Sequence, residues 1–91
     1  MADIHVCSTG SWSASRSAPF TFCNSSTTAD VSITQDGTKT WPFTSGPPLT
    51  VTKQSSFGGT LPCQLISTPG TYTYNSGPCI QEGNPKTVII T

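Results

Sequence analysis

Short runs in which every second residue is apolar recur along the chain, with turn residues between them. "DIHVC" alternates through Ile4 and Val6, "PFTFC" through Phe20 and Phe22, and "ADVSIT" through Ala29, Val31 and Ile33. "TWPFT" carries Trp41 and Phe43, although Pro42 limits it to an edge or a bend. "PLTVT" follows with Leu49 and Val51, then the short apolar "LPCQLI", then "GTYTY" with Tyr72 and Tyr74 on one face. "KTVIIT" closes the series, apolar on both faces as a central strand would be. Turns are expected at Gln35-Asp36-Gly37, Ser45-Gly46-Pro47-Pro48, Ser56-Phe57-Gly58-Gly59, Pro69-Gly70 and Gly83-Asn84-Pro85. Glycine reaches positive φ there without a Cβ clash, and proline presets φ.

No window shows apolar residues at helical spacing. Seven or eight short strands in 91 residues predict an all-β Greek-key β-sandwich. The absence of a repeat or linker predicts one domain over residues 1–91. Apolar residues are only 33% of the chain, so the core is small, yet their patterning argues against a disordered chain.

Sixteen threonines, thirteen serines and 9% charged residues make the surface polar without charge. A net charge of zero removes the electrostatic footprint of a nucleic-acid binder. No apolar stretch reaches the ~18–20 residues of a membrane-spanning helix, so no membrane insertion is expected. "MADIHVC" lacks the basic region and hydrophobic run of a signal peptide. An extracellular or cell-surface location is nevertheless the expectation, because of the cysteines.

Cys7, Cys23, Cys63 and Cys79 are separated by 16, 40 and 16 positions. Structural zinc needs close cysteine pairs, and these spacings supply none. Two disulfides are the expectation for a small domain with few apolar residues. Other chemistry is thinly represented. His5 alone among thirteen serines does not define a nucleophile–base pair, and Asp3, Asp30, Asp36 and Glu82 are widely separated. The chain therefore reads as no enzyme, without cofactor. Trp41 reads as core. Trp12, within the loop-like "STGSWSASRS", reads as an exposed binding anchor or as a lid over one end of the core. Asn24-Ser25-Ser26 matches a glycosylation sequon.

From about Asp30 to Ile90 the chain resembles the cupredoxin fold family, and the single-domain plastocyanin-like proteins in particular. "DVSIT" followed by "DG", "PFTSGPPLTV", "PGTYTY" and "TVII" carry the resemblance. It implies a cupredoxin-like or immunoglobulin-like sandwich with a ligand-bearing loop after the Pro-Gly-x-Tyr-x-Tyr strand. The family's first copper-binding histidine would fall at Trp41, its cysteine at Ser76, its second histidine at Cys79, and its methionine near Gly83 and Asn84. A blue-copper site needs two imidazoles and a thiolate, and His5 is the sole histidine, so no metal site is expected.

A hairpin about Pro69-Gly70 would bring Cys63 beside Cys79 at the end where relatives hold copper. Cys7 and Cys23 then remain, to pair within the chain or head to tail between chains. Two functions stay open. One is a non-catalytic structural or binding module that contacts a protein or glycan surface through Trp12, Asn75, Ser76 and the surrounding 75–85 loop. The other is a subunit of a self-assembling surface fibre, whose partner is another copy of itself.

Overall fold

The computed structural model describes residues 2–55, 58–79 and 85–91. Eight strands follow in order: β1 (Ala2–His5), β2 (Ser11–Ala14), β3 (Pro19–Cys23), β4 (Val31–Gln35), β5 (Leu49–Val51), β6 (Thr60–Gln64), β7 (Gly70–Gly77) and β8 (Lys86–Ile90). They form two sheets, β1-β3-β6 and β2-β8-β7-β4-β5. The fold is an all-β sandwich with no helix among the described residues.

Alternation decides which side chains enter. Phe20 and Phe22 on β3, Val31 and Ile33 on β4, Tyr74 and Ser76 on β7, and Val88 and Ile90 on β8 are buried, while their neighbours face outward. The interior is built on aromatic rings. Trp12 lies 4.9 Å from Phe20, Phe20 5.0 Å from Phe22, Phe22 5.3 Å from Phe43 and Phe43 5.2 Å from Tyr74, centroid to centroid. These rings come from both sheets, so they join the layers.

Two pairings are parallel. β1 runs beside β3 with His5 opposite Cys23, and β2 runs beside β8 with Trp12 opposite Val88. The first fourteen residues therefore contribute an edge to each sheet.

Several expectations change. "SWSA", read as loop, is strand β2, with Trp12 and Ala14 turned toward the core and Ser11 and Ser13 outward. "TWPFT" is not a strand. Pro42 has no N–H to give a ladder, and only Phe43 forms a bridge, to Leu65. Gly46, at φ +82, lets the chain close against Trp41, whose ring an added Cβ would meet at 3.1 Å. β7 continues to Gly77 instead of turning at Asn75. β8 is central by pairing, but Ile89 on its outer face stays 43% exposed. The turns expected at Ser56-Phe57 and Gly83-Asn84 lie outside the described residues in whole or part.

β6 and β7 do not form a hairpin: they belong to different sheets, joined by a crossing at 65–69. Cys63 thus sits near the start of β7, and Cys79 lies beyond its far end, about 23 Å away at ~3.3 Å per residue. A disulfide tolerates a Cα separation of no more than about 7 Å. The expected Cys63–Cys79 bridge is replaced by one between Cys7 and Cys79, with Cα atoms 5.5 Å apart. Cys23 and Cys63 are free thiols, so one bridge stands where two were expected. They cannot meet each other across β3 and β6. Cys63 is registered with inward-facing Phe20, while Cys23, three residues on, points to the opposite face.

Phe22 is fully buried and touches four other rings. Phe22→Ala is expected to cost about 3–5 kcal/mol in urea unfolding, whereas Ile89→Thr changes stability by less than about 0.5 kcal/mol. A loss below ~1.5 kcal/mol for Phe22→Ala would show that the rings do not join the sheets.

Candidate binding groove at the disulfide end

After β1 the chain makes a turn closed by Thr9 N–H donating to His5 O at 3.0 Å. This turn carries Cys7 to the end of β7, and the bridge to Cys79 ties the three-stranded sheet to the five-stranded one. A link between residues 72 apart constrains the unfolded chain by about 4 kcal/mol in the loop-entropy treatment. Beneath it, the buried Lys86 donates from Nζ to Cys7 O at 3.4 Å.

The segment after β3 is organised by Asn24, whose side chain is buried. Its Nδ2 donates to Ala29 O and to Val51 O, both at 3.0 Å, and its Oδ1 accepts from Ser26 N–H at 2.9 Å. Ser26 Oγ in turn accepts from the N–H groups of Thr28 and Ala29. A loop of small polar residues is held in one shape this way. The same bonds overturn the sequon reading: both amide hydrogens of Asn24 are engaged inside the fold, so the nitrogen cannot receive a glycan there.

Between this loop and the bridge lies an open groove of about 730 Å³. Cys7, Ser8, Pro78 and Cys79 form one wall, and residues 24–29 form the other. Among the described residues every lining side chain is uncharged: hydroxyls, one amide, small apolar groups and a disulfide. These described side chains can accept and donate hydrogen bonds, and none of them is an acid or base. It was missed in the sequence, where "NSSTTAD" reads merely as a polar connection; a run of small hydroxyls opened by asparagine was the available signal.

The expected binding residues do not come together. Trp12 is half-buried against the core and its indole N–H donates to Tyr74 Oη at 2.8 Å, which makes it a core residue and not an exposed anchor. Asn75 lies on the outer side of β7, opposite Thr34, while Ser76 is buried and donates from Oγ to Val6 O at 2.8 Å. Trp41, half-buried, donates to Ser45 O at 2.6 Å. Gly83 and Asn84 lie outside the described residues. Among the described residues no group of three or more His, Cys, Asp or Glu side chains is placed to hold a metal ion.

Two thiols remain. Burial raises the pKa of Cys23, with nearby Asp3 adding to it, and burial likewise raises that of Cys63. Comparison of the chain with protein-family models, with curated proteins and with solved structures finds no match. The class that fold and groove define is a small disulfide-bridged β-sandwich.

Burial pushes the Tyr74 phenol up to about 12, outweighing the Trp12 N–H that favours the phenolate. An unfolded tyrosine ionises near pH 10. The folded state thus holds its proton longer, and the contribution is complete below pH ~10 and lost as pH rises through about 12. Stability is expected to fall by about 2–3 kcal/mol across that window. In a Tyr72→Phe background, tyrosinate absorbance should rise only near pH 12. A rise centred near pH 10 would mean that the phenol is not sequestered.

Proposed function

We propose that this chain is a non-catalytic extracellular binding module on a cupredoxin-like sandwich without the copper ligands, and that its partner is a protein or glycan surface seated in the groove. One observation carries the reading: the groove is walled by uncharged hydrogen-bonding groups on a braced loop beside a covalent bridge. Its volume falls within the ~300–1,000 Å³ of small-ligand sites. Neutral walls select a neutral partner, because a charged one would lose hydration without a counter-charge. A braced loop also lowers the ordering cost of binding. The disulfide favours an oxidising compartment.

A second reading, a self-assembling fibre subunit, is supported by the four sheet edges at β1, β6, β2 and β5. Its cross-links would differ from those expected from sequence. Cys7 is bridged within the chain and Cys63 packs on the core, leaving Cys23 as the outward thiol. One such thiol per chain closes at a dimer, so a fibre would have to grow through backbone edges.

Amide chemical shifts recorded against a panel of neutral oligosaccharides and uncharged peptides test the first reading. Shifts at Ser8, Ser25, Thr27 and Thr28 are expected, with binding weakened at least about tenfold by Thr27→Arg at unchanged melting temperature. Shifts confined to the sheet faces would overturn it. Size-exclusion chromatography with negative-stain microscopy distinguishes the second: monomers, or reductant-sensitive dimers, rule out the fibre, and rods that persist in Cys23→Ser support it.

A further inference from the structure

The Cys7–Cys79 bridge has a third cysteine beside it. Register sets His5 opposite Cys23, and the Val6 N–H donates to Cys23 O at 3.0 Å, so the backbone of β1 is pinned to Cys23 one residue before Cys7. Cys7, Cys23 and His5 then line a single small cavity of about 40 Å³. Cys63, by contrast, faces the core three residues along β6 from the Cys23 register position. Cys7 is therefore bonded to Cys79 beyond the end of β7 and shares a small cavity with the free Cys23 at the end of β3.

We propose that this end of the sandwich is a thiol–disulfide exchange site, in which Cys23 displaces Cys79 from Cys7. Cys23 gives up its proton, and the resulting thiolate forms a bond to Cys7 Sγ as the Cys7–Cys79 bond breaks. The electron pair leaves on Cys79 Sγ, which takes up a proton. One disulfide is consumed and one is formed, so neither oxidant nor reductant is required.

The surroundings set the pace. Asp3 and His5 face Cys23 from β1, the registered neighbour on β6 is uncharged Thr60, and Lys86 stands beside Cys7. Burial and the Asp3 charge disfavour the attacking thiolate, so exchange is slow at neutral pH and quickens as pH rises. The Lys86 ammonium donates to the carbonyl of Cys7, the residue whose sulfur is attacked. Native geometry fixes the balance. In the folded chain the bridge that the structure holds is Cys7–Cys79, with Cα atoms 5.5 Å apart, which makes Cys7–Cys23 the minor link.

Exchange would move the covalent tie out of the space between the sheets and into the β1–β3 pair. Pro78 and Cys79, one wall of the groove, would then be released from the turn that holds Cys7.

Trypsin, cutting after Arg16, Lys39, Lys53 and Lys86, puts Cys7 and Cys23 on separate peptides and leaves Cys63 and Cys79 together on 54–86, where fragment ions tell them apart. The oxidised full chain, isolated as monomer, is held at pH 8.5 for hours, quenched with N-ethylmaleimide and mapped by tandem mass spectrometry. The expected result is the Cys7–Cys23 species as a minor fraction beside the Cys7–Cys79 species, reached faster at higher pH, with Cys63 alkylated throughout. Cys7–Cys79 alone, with Cys23 fully alkylated, overturns the proposal. So does a Cys7–Cys23 link found only in covalent dimers, or bridging of Cys63, which would signal scrambling through unfolding. Cys79→Ser adds a second readout: if folded, it should close Cys7–Cys23 quantitatively in glutathione buffer. If it fails to fold, the wild-type ratio decides.

Discussion

Everything in this molecule depends on five aromatic rings reaching each other across the sandwich. Trp12 and Tyr74 come from the five-stranded sheet, Phe20 and Phe22 from the three-stranded one, and Phe43 from the connection between β4 and β5. With a third of the chain apolar, aliphatic side chains alone would leave the layers thinly filled. Tilted and edge-on contacts add about 0.5–1.5 kcal/mol each beyond the area they bury. The indole-to-phenol hydrogen bond satisfies the two polar atoms these rings bring inside, which is the condition for burying them at all. With the core held by these rings, the groove and three of the four sulfurs, Cys7, Cys23 and Cys79, collect at one end of the sandwich.

At that end, polar groups do the work that apolar packing does elsewhere. Asn24 reaches from the end of β3 to the end of β5, and Asp30 accepts the N–H of Lys53, so the loop before β4 is bound to the chain after β5. The disulfide then joins the opposite wall. Uncharged side chains suit this role, because a neutral hydrogen bond in a half-buried setting carries little of the desolvation cost of a charge.

Alternation made most strands legible, since Phe20/Phe22, Ile33 and Tyr74 each mark an inward face that the structure keeps. It failed where the inward residues were few: β2 holds only Trp12 and Ala14 among serines, and its strand character comes from β8, more than seventy residues away. Trp41-Pro42-Phe43 shows the opposite error, apolar spacing without the backbone donors a strand needs. Cysteine pairing was illegible for a geometrical reason. Whether 65–69 turns back in one sheet or crosses to the other decides which end Cys63 occupies, and the turn residues at Pro69-Gly70 serve both routes. The groove was hidden because its walls come from segments that meet only once the sheets are stacked.

The two parallel pairings carry a consequence for how the chain is made. β2 can be seated only against β8, and β8 also supplies the inner neighbour of β7. During synthesis on a ribosome the aromatic core must therefore wait, with Trp12 uncovered, until β8 has been translated. Contacts this remote in sequence slow the search for the native pairing. A serine- and threonine-rich exterior keeps such a waiting chain hydrated while its partner strand is still to come.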